Sequence, residues 1–279
     1  MGRTAVGVSE ARSWEDYLAT VLGPDVPPAL CREAEPEVMR GHLRGIPADE
    51  MSNRRAMILA RAWARLAARA SPAPADLRSS TDRDAVAVTS EEVTHDGFFL
   101  TRSYGLRHPR FGGGQSPQVS REVFVATDAA LVLPYDPGRD RVLLVEQFRM
   151  GPFGRGDPRP WMLEPVAGRI DGGESPETCA RRECEEEAGL VLTGLERISS
   201  HYCTPGYSTE FFHLFLGLCD LPEERQGRGG VATENEDIRT HVIGFDHAMA
   251  LLESGEVNNG PLVLCLLWLE RARARLRAG

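Results

Sequence analysis

The chain of 279 residues contains no lysine, so every basic side chain other than histidine is an arginine. Any charged contact to an anionic ligand must therefore come from a guanidinium, which grips a carboxylate or phosphate through two parallel hydrogen bonds. A basic surface is lacking as well. The formal net charge is −9 and the sequence pI about 5.4, which argues against nucleic acid as the main partner. The six cysteines (Cys31, Cys179, Cys184, Cys203, Cys219, Cys265) form no C-x-x-C pair and no zinc-type spacing, and buried, reduced thiols are expected. Arg3, Glu10, Arg12, Glu15 and Asp16 interrupt the start, leaving no signal-peptide core. The longest strongly apolar run, Pro261 to Leu269, is too short to span a bilayer. No membrane partner is expected, and the expected location is the reducing cytoplasm.

The remaining composition is that of a globular protein, with 42% hydrophobic residues. Residues 1–84 read as a helical extension. Ser13 to Leu22 is a short helical candidate. Ala48 to Ala70 is a longer one, with Met51, Ile58, Ala62, Leu66 and Ala67 on one face and Arg54, Arg61, Arg65 and Arg69 largely off it. Ser71 to Ser80 has linker composition. Residues 85–126 read as a β-strand subdomain, with strand patterns at Gly97–Leu100 and Val119–Ala126 around a turn-rich stretch at Phe111–Pro117. Residues 127–279 read as the core. Its strands are predicted at Ala129–Leu133, Arg141–Glu146, Leu192–Tyr202, Phe211–Cys219 and Thr240–Ile243. A turn is expected at Pro134–Asp140, a loop at Gly154–Pro160, and closing helices at Phe245–Leu252 and Pro261–Arg277. Mixed strands with a central and a terminal helix suit an α/β/α sandwich.

Residues 168–190, GRIDGGESPETCARRECEEEAGL, are the most informative segment. Ser175-Pro176 is a helix start, a hydroxyl N-cap followed by proline at the first helical position. Gly189 stands where a left-handed C-cap is expected. On the helix between them Glu183, Glu186 and Glu187 are i, i+3 and i+4 and share one face. At about 4 Å, two such charges repel by roughly 1 kcal/mol in water and about 4 kcal/mol at an effective dielectric near 20. A hard cation among them reverses that sign. Mg²⁺ suits best, because it takes few carboxylates and keeps waters and substrate phosphates as its other ligands. The loop Gly168–Glu174 has three glycines, and a loop leading into a helix N-terminus suits a diphosphate. The competing reading is a solvated helix in which Arg181 and Arg182 pair with Glu185 and Glu186.

Gly168, Glu174, Arg182, Glu183, Cys184, Glu186, Glu187, Gly189 and Leu190 follow the spacing G-x5-E-x7-R-E-U-x-E-E-x-G-U, where U is apolar. The segment resembles the box of the Nudix hydrolases, which cleave a nucleoside diphosphate linked to another group using a divalent metal. From about Gly97 to Leu269 the chain is also similar to the bacterial ADP-ribose pyrophosphatases. The similarity runs through Gly97-Phe98-Phe99, Ser120–Phe124, Glu146–Arg149, Trp161–Gly168, Thr204–Glu210 and Glu234–Ile238. Pro205 stands sixteen residues after Gly189, a spacing associated in that family with ADP-ribose.

The resemblance implies a Nudix-type α/β/α sandwich with mixed sheets and a set of roles. Glu183 and Glu187 would bind metal with the Ala167 carbonyl and Glu236. Glu186 would be a further ligand or would hold metal-bound waters. Glu234 would be the base for the attacking water, with Glu210 orienting it. Arg149 would contact the diphosphate beside the Gly168 loop, and Arg121 the terminal ribose phosphate. Phe98 would stack on adenine with Glu122 nearby. Pro205 and Tyr207 would line the pocket, Tyr207 replacing a glycine common in the similar loop. The cofactor implied is Mg²⁺, with Mn²⁺ as the alternative. The resemblance further implies a homodimer with exchanged N-terminal strands, each partner lending Phe98, Arg121 and Glu122 to the other's site. The reaction implied is hydrolysis of ADP-ribose to AMP and ribose 5-phosphate. Two alternatives stand beside it: another nucleotide sugar such as GDP-mannose, and a module that binds ADP-ribose without cleaving it. Residues 1–84 resemble nothing nameable.

Overall fold

A computed structural model describes residues 13–222, 227–230 and 237–278. Contacts divide the chain into two compact units.

The first unit runs to Ser79 and takes in Asp171–Gly173. Helix α1 (Trp14–Leu22) starts at Ser13, whose hydroxyl accepts the Asp16 N–H at 3.2 Å. Helix α2 (Pro28–Leu43) has no counterpart in the sequence expectations, because Pro36 within it reads as a breaker. It persists because Leu30, Ala34 and Val38, four residues apart, are buried in a core with Val21, Leu22, Met51, Ile58 and Ala62. The single helix expected over 48–70 is two, α3 (Ala48–Ser52) and α4 (Arg55–Ala70). At the break Asn53 N–H turns to Glu50 O and Arg54 N–H to Met51 O, three residues back rather than four. Arg61, expected off the packed face, is instead only 4% exposed and paired with the equally buried Glu37.

The second unit holds everything else. Strands β1 (Ala87–Asp96), β2 (Leu100–Arg107) and β3 (Val119–Val125) form an antiparallel three-stranded sheet. Gly97–Phe99, expected as strand, is the β1–β2 turn, closed by Gly97 N–H donating to Phe99 O at 3.0 Å. Strand β1 went unread because its sequence is polar and nearly all exposed, so it has no alternation to show.

The large sheet is built from β4 (Asp128–Asp136), β5 (Arg141–Phe148), β6 (Trp161–Glu164), β7 (Val166–Arg169), β8 (Gly194–Tyr202), β9 (Phe211–Leu218), β10 (Gly227–Gly229) and β11 (Ile238–Gly244). Its order is β10-β11-β5-β4-β9-β8, with β6 on β5 and β7 on β4. The β4–β9 pair is parallel and the others are antiparallel, so the sheet is mixed as expected. Strand β4 runs into the expected turn, as far as Asp136, and a short helix α5 (Met150–Arg155) occupies the start of the expected 154–160 loop.

Leu131, Leu133, Tyr135, Val142, Leu144, Leu214 and Leu216 share one core with helices α7 (Phe245–Ser254) and α8 (Gly260–Arg277), while α6 (Pro176–Ala188) packs on β4 and β7. The alternating residues Ala130, Val132, Leu143, Val145 and Phe215 are equally buried. Strands buried on both faces make the sheet the middle layer of the α/β/α sandwich. No helix among the described residues is long and apolar enough to cross a membrane.

Candidate active site

Helix α6 is fixed at both ends by its own sequence. The Ser175 hydroxyl accepts the Thr178 N–H at 3.1 Å, Pro176 fills the first turn, and Gly189 closes the helix at φ 58°. The Gly189 and Leu190 N–H groups return to Glu185 O and Cys184 O, both at 2.9 Å. Cys179, Ala180 and Cys184 face the sheet. Burial holds both thiols well above their ordinary pKa, reinforced by Glu174 and Glu183 at Cys179 and by Cys219 and Glu187 at Cys184. The Cys179 thiol donates to Gly168 O and Arg169 O at 3.6 and 3.4 Å, tying loop to helix. All six cysteines are free.

Arg182 organises the carboxylates. Its guanidinium donates twice to Glu174, at 3.0 Å each, to Glu183 at 2.5 Å, to Glu186 at 2.9 Å and to Arg169 O at 3.3 Å. The hydrogen bonds to Glu174, with the charge of Glu183, raise the Arg182 pKa above its ordinary value. The Arg182–Glu186 pair of the solvated-helix reading is thus present, as one strand of a network that pure solvation would not build.

Gly168 shows why the loop needs glycine. A Cβ there would lie 1.9 Å from the Glu183 carboxyl, so that carboxyl occupies the space a side chain would take. Glu187, 2% exposed, accepts the Ala167 N–H at 3.3 Å. Ala167, Glu183 and Glu187 therefore converge where β7 meets α6. These are hard oxygen donors, and they fit a hard divalent cation that retains waters and phosphates. Among the described residues no three His, Cys, Asp or Glu side chains converge closely enough to hold a metal unaided. The expected set includes a backbone carbonyl and Glu236, and both Glu236 and the expected base Glu234 lie outside the described residues.

Arg149 stands at the start of α5, with Nε and Nη2 donating to Glu164 Oε2 at 2.8 and 2.7 Å. Glu164 is buried and also accepts from Gln147 at 3.3 Å and Asn259 at 3.0 Å. This carboxylate, which aims Arg149, was not among the expected site residues, and its signal was one charge inside an otherwise apolar strand. Glu210 is half-buried. Burial pushes its pKa up, while the Cys203 thiol and the Arg149 charge pull it down.

The loop bearing Pro205, Tyr207 and Glu210 is stitched to β3. Phe124 N–H donates to Tyr207 O at 2.8 Å and Thr209 N–H to Phe124 O at 3.0 Å. Tyr207 is exposed. Phe98, 75% exposed, meets Phe99 edge-on with ring centres 5.0 Å apart. Arg121 and Glu122 project into solvent from β3, and Arg121 donates to the adjacent Ser120 carbonyl at 2.7 Å. The box residues, Ala167 and Arg149 thus have built surroundings, whereas the contacts of Phe98 and Arg121 are local.

A groove of about 1060 Å³ lies elsewhere in this unit, between β5, β6, β11 and α7, lined by Glu146, Trp161, His241 and His247 among others. It includes none of the expected site residues, so the donor chemistry and not the cavity locates the candidate site.

The NUDIX domain family model matches residues 125–262. ADP-ribose pyrophosphatase of Escherichia coli (strain K12) is 39% identical over 197 residues, covering 71% of this chain and 93% of the relative. The protein of that name from Haemophilus influenzae is 38% identical, covering 69% of this chain and 89% of the relative. A GDP-mannose pyrophosphatase of Pectobacterium atrosepticum is 31% identical, covering 64% of this chain and 91% of the relative. A solved structure of an ADP compounds hydrolase shares the fold, with a TM-score of 0.54 and 22% identity over 71% of this chain and all of that one.

Proposed function

This chain belongs to the NUDIX domain family, and from that premise we propose that it hydrolyses the diphosphate of ADP-ribose to AMP and ribose 5-phosphate with a divalent cation. The observation that carries the reading is the convergence of Ala167, Glu183 and Glu187 under an arginine that organises Glu174, Glu183 and Glu186. Ala167, Glu183 and Glu187 would hold the cation, with Glu186 holding it or its waters and Glu236 completing the set. Mg²⁺ is the first choice and Mn²⁺ the alternative. When bound, the cation neutralises the diphosphate and lowers the pKa of an attacking water.

The chain's own groups do the rest. Arg149, braced by Glu164, binds the diphosphate through its remaining donors. Glu234 takes the proton from the water and Glu210 orients that glutamate. Gly168 leaves room for the Glu183 carboxyl at the edge of the diphosphate site, and Pro205 and Tyr207 border the sugar. In a homodimer with exchanged β1–β3 sheets, the partner's sheet would supply the stacking ring of Phe98 and the polar groups of Arg121 and Glu122. The exposure of those side chains is what supports this part of the reading. The free thiols support a reducing, cytoplasmic setting.

The similarity to a GDP-mannose pyrophosphatase supports a second reading with the same chemistry and another sugar. The test is kcat/KM for ADP-ribose, GDP-mannose, NADH and ADP-glucose in saturating Mg²⁺. ADP-ribose should lead by at least about tenfold, a difference of roughly 1.4 kcal/mol in transition-state binding. A lead for GDP-mannose reassigns the substrate. Binding of ADP-ribose without product in that assay points to the non-catalytic reading.

A further inference from the structure

Glu164 is the last residue of β6 and is 7% exposed, opposite the fully buried Val145 of β5. A carboxylate held this far from water needs donors at both of its oxygens. The two oxygens divide them. Oε2 accepts from Gln147 at 3.3 Å and from Arg149 Nε and Nη2 at 2.8 and 2.7 Å. Oε1 accepts from the Asn259 amide at 3.0 Å. Gln147 lies on β5, the strand paired with β6, and Arg149 directly follows it. Asn259 comes from 95 residues further along the chain.

Asn259 is also the N-cap of α8, where its Oδ1 accepts the Leu262 N–H at 3.1 Å. The two contacts fix the amide one way round, because a backbone N–H needs an acceptor and a carboxylate needs a donor. Capping alone does not require asparagine, since serine and aspartate cap about as well. Aspartate, however, has no donor for Glu164, and serine offers one atom where two are used. The cap is anchored as well, because Leu262, Cys265, Leu266 and Leu269 of α8 are fully buried in the core. The carboxylate is therefore tied to a fixed point outside its own sheet.

We propose that Asn259 is a positioning residue for the hydrolysis. It ties Glu164 Oε1 to the start of α8, so that Oε2 alone meets Arg149 and Nη1 of that guanidinium is left for the diphosphate. The inference rests on the reading of Arg149 as the diphosphate contact. Asn259 touches no substrate; it acts through Glu164 and then Arg149. Losing its amide frees the carboxylate to turn and takes the fixed aim from the arginine.

The test compares wild type, Asn259→Ser and Asn259→Ala in kcat, KM and melting temperature, on whichever nucleoside diphosphate sugar the wild type turns over. Both variants lose the bond to Glu164, but serine keeps the cap. Both should raise KM about five- to tenfold with kcat within about twofold, as loss of uniform binding does, and alanine should also melt earlier than serine. A wild-type KM in Asn259→Ser, with the rise confined to alanine, makes the residue a cap only and overturns the proposal. In an Arg149→Ala background Asn259→Ser should change KM no further, and an undiminished second rise overturns the route through Arg149. A second measurement needs no turnover: phenylglyoxal modification of Arg149, whose side chain is 41% exposed, followed by mass spectrometry. Asn259→Ser should speed it severalfold by loosening Glu164 from the guanidinium, and an equal or slower rate overturns the proposal. If the wild type cleaves no nucleoside diphosphate, the functional reading fails, while the modification rate still decides whether Asn259 holds Glu164 on Arg149.

Discussion

Two arginines, one in each unit, hold carboxylates in opposite ways. Arg61 in α4 meets a single partner, Glu37 of α2, and both are sealed from solvent. Charge is matched one to one, with only the Arg61 Nη1 left buried without a hydrogen-bond partner. Arg182 in α6 faces Glu174, Glu183 and Glu186 and is about one-third exposed. Three carboxylates share that one guanidinium, and Glu187 lies close by on the Ala167 N–H. The sealed pair serves only the fold, since breaking it strands a buried charge. The shared cluster gathers the hard carboxylate oxygens that the proposed divalent ion would use. What separates the two is how many carboxylates each arginine gathers and how much solvent each meets.

That contrast can be broken experimentally, beginning with the largest effect. Glu187→Gln should reduce metal-dependent turnover of ADP-ribose by roughly 10³-fold at any Mg²⁺ concentration, because a buried carboxylate of the proposed metal set is neutralised without loss of shape. Near-normal kcat across an Mg²⁺ titration would remove the metal site from α6. Arg61→Ala should leave Glu37 buried and alone and destabilise the helical unit by about 3 kcal/mol or more. Urea unfolding followed by the signals of Trp14 and Trp63 measures this. Replacing both partners by Met and Leu should recover most of the loss, and a double variant as unstable as the single one would show that the charges themselves are needed. Arg182→Ala should do the reverse. It should raise the Mg²⁺ needed for half-maximal activity about 10- to 100-fold, as loss of a ligand-orienting partner does, while the melting temperature hardly moves. A large drop in stability with unchanged metal affinity would make the two arginines equivalent after all.

The smallest effect concerns Glu33 of the helical unit, which Arg65 holds at 2.6 Å and Arg69 also binds. Burial raises its pKa, but the two arginines outweigh that and leave it lowered from 4.5. The sign follows. Its contribution is complete above about pH 4.5, the unfolded value, and is lost as pH falls through the lower folded value. Because the arginines are partly exposed, that contribution should be under about 1 kcal/mol. Glu33→Gln should therefore cost little at neutral pH and flatten the acid decline of the helical unit's stability. A decline as steep as wild type's would assign acid sensitivity elsewhere.

What could be read along the chain was local. Helix α6 announced itself through Ser175, Pro176 and Gly189, because caps act over three or four residues and need no distant partner. The core strands were legible where they are continuous apolar runs, as in β4 and β9. Helix α2 was not, because Pro36 and the charge of Glu37 contradict a helix until its buried stripe and Arg61 are in place. Strand β1 was not, because both of its faces meet solvent and no period survives.

The candidate site divides along the same line. Residue types and their spacing announced a carboxylate-bearing helix, a glycine loop and the family they belong to, since those features are set by a 3.6-residue period and by chain order. Folding supplied the geometry between them. It put Glu183 where a Gly168 side chain would have been and gave Arg182 three acidic partners. It also aimed Arg149 with Glu164, fifteen residues away. These arrangements join segments whose order along the chain carries no distance, so only the packing of the sheet against α6 could establish them.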